Sequence, residues 1–109
     1  LTRERRLTRP DEFKLAFAKG KRRRQAPLAL VYRHAPESAA RLGLAVSRKQ
    51  ARSAVLRNRI KRQAREIFRQ RADTLPLGDY VIYAVSSCEG LHKRELGQHL
   101  VRLFEGATR

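Results

Sequence analysis

Leu56, Ile60, Ala64, Ile67 and Phe68 recur at helical spacing within the segment LRNRIKRQAREIFRQ. With successive residues about 100° apart around a helix axis, these side chains gather into one arc. The segment is therefore a helix with one side to bury. It lies between two apolar stretches, RLGLAVS (41–47) and GDYVIYAVS (78–86), whose composition is that of strands. The second is apolar enough to sit centrally in a sheet. Strands on both sides of an amphipathic helix require a layered domain in which helices cover a sheet.

The rest of the chain fits that plan. From Pro27 to His34 the residues alternate, Leu28, Leu30 and Tyr32 on one side and Ala29, Val31 and Arg33 on the other, as in a strand. TRPDEFKLAFAKG (8–20) predicts a short helix capped by Thr8, with Asp11 at a capping-box position, Pro10 in the first turn and Gly20 as the stop. Phe13, Ala16 and Phe17 then share a face. KGKRRRQAP has no hydrophobic period and reads as an exposed loop, APESAA as a polar turn. Leu96, Leu100, Leu103 and Phe104 give a last helix with one face for the sheet.

The predicted order is helix, two strands, helix, strand, helix. It makes an α+β fold with three helices and a mixed sheet of about four strands, allowing for one short strand beyond the three legible ones. The chain of 109 residues suits a single domain, burying roughly 65% of its unfolded surface. Residues 1–7 are expected to be a flexible basic arm.

The charge points to a partner. Opposite the apolar arc of the middle helix, Asn58, Arg62, Arg65 and Arg69 form a stripe at i, i+4, i+7 and i+11, with Lys61 on one margin and Arg59 on the other flank. Arg57 projects near the apolar arc at the helix start, where its long stem can reach around. Cations within a turn of one another destabilise a helix by about 0.2–0.5 kcal/mol per pair, and Glu66 alone offsets them. Ser47, Arg48, Lys49 and Arg52 extend the basic surface into the preceding loop. Of 26 Lys and Arg, ten lie between Arg48 and Arg71, and the formal net charge is +16. Such a surface is either a solvated face or one shaped for a polyanion.

No apolar run approaches a membrane span and no signal-peptide core is present, so nucleic acid is the expected polyanion and the cytoplasm the expected location. Cys88 is the only cysteine, which excludes an intrachain disulfide and a cysteine cluster for zinc. His34, His92 and His99 show no ligand pattern, and Cys88 with His92 at i+4 is weighed as a chance pairing. The acids are scattered, and neither a nucleophile elbow nor a phosphate-cradling glycine loop occurs. No catalytic or metal-binding residue is expected, and if RNA is cut, something else cuts it.

A helix with Arg and Asn could read a DNA major groove, but that is commonly the work of small helical bundles or zinc modules. Phe13, Phe17 and Tyr32 beside basic residues suit single-stranded RNA, whose bases stack on rings. The same residues also suit plain core packing. A structural RNA-binding protein of the ribosome is the alternative reading, since its basic surfaces look alike at this length.

RLGLAVSRKQARSAVLRNRIKRQAREIFR closely resembles the signature region of the bacterial ribonuclease P protein subunit family. DEFKLAF resembles that family's first helix, APLALVY its first strand, LPLGDYVIYA its late strand and ELGQHLVRLF its last helix. The resemblance implies a compact sheet with helices and a left-handed crossover around the basic helix, where generic connections are right-handed. It implies a subunit that acts as a monomer in a complex with a large catalytic RNA, which with Mg²⁺ removes the 5′ leader from precursor tRNA. No cofactor is expected on the protein itself, and no DNA or membrane partner.

Carried over position by position, Arg57, Asn58, Arg59, Lys61, Arg62 and Arg65 match the family's basic motif for the RNA subunit, and Arg52 and Arg69 extend it. Phe13, Phe17, Leu30 and Tyr32 match positions of a cleft for the single-stranded leader, with Ser47, Arg48 and Lys49 at the strand end beside them. Ala45 and the stretch Ala84 to Ser87 depart from the family pattern in that cleft.

Overall fold

The structure, a computed structural model, describes residues 5–35 and 39–107. In chain order the elements are α1 (Pro10–Lys19), β1 (Lys21–Gln25), β2 (Leu28–His34), β3 (Ala40–Ala45), α2 (Ala54–Arg71), β4 (Gly78–Ala84) and α3 (Lys93–Ala107). The four strands form one sheet in the order β1-β2-β4-β3, with β1–β2 and β2–β4 antiparallel and β3–β4 parallel. The α+β architecture expected from the hydrophobic pattern is the one observed.

Strand alternation divides the sheet into two faces. Leu28, Leu30 and Tyr32 of β2, Leu42 of β3 and Tyr80 and Ile82 of β4 share the larger core with Leu56, Ile60, Ala64 and Phe68 of α2 and Leu96, Leu100, Leu103 and Phe104 of α3. Phe68 sits at the junction, its ring 5.8 Å from both Tyr80 and Phe104. The opposite face is smaller: Leu7, Ala16, Val31 and Val81 are buried there, with Phe13, Phe17 and Tyr83 partly buried against them.

Ser53 starts α2 by accepting hydrogen bonds from the Val55 and Leu56 amides, 3.1 and 3.3 Å, which satisfies donors that lack a partner within the first turn. The Tyr80 hydroxyl donates to the Pro76 carbonyl, so the buried phenol keeps a partner. Cys88 is buried, and burial, reinforced by the neighbouring Glu89 carboxylate, pushes its thiol up. The neutral thiol acts as a small core residue.

Four local expectations are corrected. The KRRRQ run is not a loop but the edge strand β1, paired with β2 from Lys21↔Tyr32 to Gln25↔Leu28. Its side chains are nearly all exposed, so an ordered ladder leaves no hydrophobic period. Helix α1 starts one residue later than Thr8 would set: Arg9 is its cap, without a side-chain cap bond. Asp11 meets Arg9 at 3.4 Å instead of closing a capping box. Finally, of the expected arm, residues 1–4 lie outside the described residues, whereas Leu7 is buried and its amide donates to the Leu42 carbonyl at 2.8 Å. The strands also end earlier than expected, at Ala45 and Ala84.

Two outcomes follow for stability. Phe68→Ala opens a cavity between the Tyr80 and Phe104 rings and should cost about 3–5 kcal/mol, measured by urea unfolding; a loss under about 1 kcal/mol would mean that the junction is not the centre of the core. Burial, with the Tyr32 phenol adding to it, pushes Tyr80 from the ordinary 10 up to about 12. Its folded-state preference for the neutral phenol is fully present below pH 10 and is lost as pH rises through 12. Tyr80→Phe should flatten that alkaline loss.

Candidate nucleic-acid interface

With the α2 arc buried, the other side of the helix is held in solvent. Asn58, Arg59, Arg62, Arg65 and Arg69 are exposed and Lys61 is partly so. Arg69 is not an open cation: Glu66 accepts from its guanidinium at 2.6 and 3.2 Å. That hydrogen bond lowers the Glu66 carboxyl and raises Arg69. Arg57 also has a different task from its neighbours, because its Nη1 donates to the Ala51 and Arg52 carbonyls, both at 2.8 Å. It pins the loop to the helix start. Among the described residues, the cations of this ridge without a carboxylate partner are Arg59, Lys61, Arg62 and Arg65.

The loop before α2 is ordered by its own polar groups. The Ser47 hydroxyl donates to the Gln50 side chain, and the Ala51 amide donates to the Ser47 carbonyl at 3.0 Å. Arg48, Lys49 and Arg52 project from it exposed, while the Arg52 amide donates to Glu89 Oε1 at 3.0 Å.

The ridge continues around the β3 edge of the sheet, where Arg6 bridges to Leu42. There a depression of about 410 Å³ is lined by Lys61 and Arg65 of α2, Leu42 and Leu44 of β3, Arg6 and Phe13. Gly43 permits the approach of Phe13, since a Cβ at that position would stand 2.7 Å from Phe13 Cζ. On the same side of the sheet, Phe17 meets Tyr83 edge-on at 5.1 Å, and the Arg22 guanidinium lies 5.4 Å above the Phe17 ring. Phe13 and Phe17 are half-buried, so each offers ring surface and packs as core at once.

Leu30 and Tyr32 do not belong to this face. Leu30 is 0% exposed and Tyr32 6%, both under α2 and α3, and Tyr32 stacks on Tyr80 at 6.2 Å. The correction follows from strand parity: the face beneath α1 carries Ala29, Val31, Val81 and Tyr83. Tyr83 was missed, although its register opposite Ala29 in the β2–β4 ladder follows from the alternation within GDYVIYA.

Helix α1 is seated by a three-residue ion cluster. Arg41 of β3 donates to Asp79 of β4 at 2.9 and 3.2 Å and meets Glu12 of α1 at 2.7 Å. Partial burial works against the Arg41 charge, but the bonds to Asp79 and Glu12 outweigh it and raise its pKa. These acids are thereby committed to structure. Among the described residues, no group of three or more His, Cys, Asp or Glu is placed to hold a metal ion, and no helix is long and apolar enough to cross a membrane.

Fold and surface define a small basic α+β domain whose outer helix holds a row of cations in solvent, with half-buried rings on the other face of the sheet. A model of the family Ribonuclease P matches residues 1–108, and the chain belongs to that family. It is 35% identical over 108 residues to the ribonuclease P protein component of Aliivibrio fischeri, covering 99% of this chain and 92% of that protein. Among solved structures it is similar to the RNase P protein of Staphylococcus aureus, with TM-score 0.84, 25% identity and 94% of each chain covered. It is also similar to the RNase P protein of Thermotoga maritima, with TM-score 0.75, 29% identity, and 93% and 96% covered. Membership makes ribonuclease P RNA the partner and tRNA 5′-end maturation the process, so the ribosomal alternative is not favoured.

The ion cluster yields a test of how α1 is held. Arg41→Met strands the buried Asp79 carboxylate and should cost about 3 kcal/mol. Glu12→Gln breaks only the more exposed pair and should cost under about 1 kcal/mol. Urea midpoints for the two variants should therefore differ clearly; equal losses would assign the cluster's stability to the α1 contact instead.

Proposed function

We propose that the chain binds ribonuclease P RNA through Arg59, Lys61, Arg62 and Arg65, with Asn58, Arg52 and Arg69 at the margins, and receives the 5′ leader of precursor tRNA beyond the β3 edge. Phe13 and Phe17, with Arg48 and Lys49 at the strand end, form the leader side. The observation that carries this reading is continuity: Lys61 and Arg65 share one depression with Phe13. A phosphate chain and unstacked bases arriving together meet cations first and rings next, the combination single-stranded RNA requires.

The subunit's contribution is positional and electrostatic. Guanidinium groups take phosphate oxygens bidentately and reduce repulsion between two polyanions that must share a site. Hydrolysis is assigned to the RNA component with its Mg²⁺; in this chain Glu12 and Asp79 are tied to Arg41 and Glu66 to Arg69. The protein acts as a monomer within the complex and in the cytoplasm.

The test is reconstitution. The purified chain added to ribonuclease P RNA at low Mg²⁺ should restore cleavage of precursor tRNA, and Arg62→Ala with Arg65→Ala should reduce RNA affinity by tenfold or more while leaving the unfolding midpoint unchanged. Each single-strand phosphate contact contributes about 0.7 to the log–log salt slope, so the double variant should also flatten that slope by more than one. Unchanged affinity would sink the ridge assignment. Phe13→Ala should weaken binding of precursor with a long leader and spare mature tRNA; equal losses would point to damaged packing.

A further inference from the structure

The edge strand β1 raises a question that the ridge does not answer. Edge strands are kept from pairing with other chains by a charge or two, and Lys and Arg are not favoured strand residues. Here Lys21, Arg22, Arg23 and Arg24 stand in succession, all exposed. Their backbone is held by β2, and strand alternation sends them to both sides of the sheet.

Two of these side chains are placed by specific contacts. Arg22 Nη2 donates to the Phe17 carbonyl at 2.9 Å and its guanidinium covers the Phe17 ring. Arg23 lies across the end of α3 where Gly106 leaves room: a Cβ at Gly106 would stand 2.7 Å from Arg23 Nη2. From α3, Arg102 joins Arg23 and Arg24 around a depression of about 240 Å³. Glu105 also lines it, and strand register turns Arg23 toward α3 while Arg24 borders the depression from the sheet edge. This concavity of arginines is ordered by sheet pairing and helix packing, unlike a frayed basic tail.

Strand order places this site at the opposite sheet edge from the depression that joins Lys61 to Phe13. The depression joining Lys61 to Phe13 lies at the β3 edge, and β1 is the other edge of the sheet. Three strand spacings separate the edges, about 14 Å, beyond the Debye length of about 8 Å at physiological ionic strength. A phosphate at the β1 edge is therefore screened from the cations at the β3 edge. Leu15, Val55 and Leu77, the large exposed apolar residues among those described, lie outside the β1 site. A membrane surface would need such residues within it.

We infer that Arg23, Arg24 and Arg102 form a second phosphate-binding site for an RNA backbone, at the sheet edge opposite the α2 ridge, so that one protein bridges two RNA segments. The inference rests on the chain's role as an RNA-binding subunit. The second segment belongs either to the ribonuclease P RNA or to the precursor tRNA.

The experiment compares Arg23→Gln/Arg24→Gln/Arg102→Gln with Arg62→Ala/Arg65→Ala and the unaltered chain, all confirmed folded by their unfolding midpoints. Affinity for ribonuclease P RNA alone, and affinity of the reconstituted holoenzyme for precursor tRNA, are measured across a salt series. A loss of threefold or more in the first, with a shallower salt slope, assigns the segment to the ribonuclease P RNA. The same loss confined to the second assigns it to the substrate. Both affinities and slopes unchanged in the triple variant would overturn the inference, and self-association of that variant would then identify the cations as guards of the strand edge. Failure of the α2 variant alone would refute the ridge while leaving the β1 site standing.

Discussion

Everything this chain presents to its partner depends on the burial of one side of α2. Leu56, Ile60, Ala64 and Phe68 are held against Tyr80 and Phe104, and this fixes the rotation of the helix about its axis. The opposite stripe has then only one place to go. Repulsion among Arg59, Lys61, Arg62 and Arg65 works against helix formation by a few tenths of a kcal/mol per pair. Core burial of about 1.5–3 kcal/mol per large apolar side chain overrides it. On the proposed reading, a polyanion would turn the same repulsion into binding free energy, because the cations are already gathered before it arrives.

The second arrangement that matters is the division of the sheet into unequal faces. Two long helices take the larger face, and the ten-residue α1 takes part of the smaller one. Because α1 is short, it leaves Phe13 and Phe17 half-covered. Arg41 locks this placement by joining Glu12 of α1 to Asp79 of β4. The cationic helix and the Phe13 ring are thereby brought to one edge, though they belong to segments far apart in the chain, while Phe17 lies further across the sheet, against Tyr83 and beneath Arg22 of β1.

Much of this was legible in the residues. The α2 arc and its stripe follow from helical spacing, and both lie where that spacing puts them. The face that holds Tyr32 was open to deduction: two helices with wide apolar arcs need the larger side of the sheet, so Leu28, Leu30 and Tyr32 had to turn toward them. The prospect of base stacking put Tyr32 among the RNA-facing rings, and family resemblance added Leu30, both against that parity. Strand β1 was not legible, because exposed cations on a paired edge carry no hydrophobic signature; its order resides in backbone bonds to β2. The tasks of Arg57 and Arg69 were hidden too, since spacing places a guanidinium on a helix but cannot say that a nearby carbonyl or carboxylate already holds it.

The most direct check is chemical modification of arginine, read residue by residue by mass spectrometry, on the chain free and bound to ribonuclease P RNA. The account requires Arg59, Arg62 and Arg65 to react readily in the free chain and to be shielded in the complex, with Arg41 slow in both. If those three remain as reactive in the complex as in the free protein, the polyanion binds elsewhere and the ridge is only a solvated face.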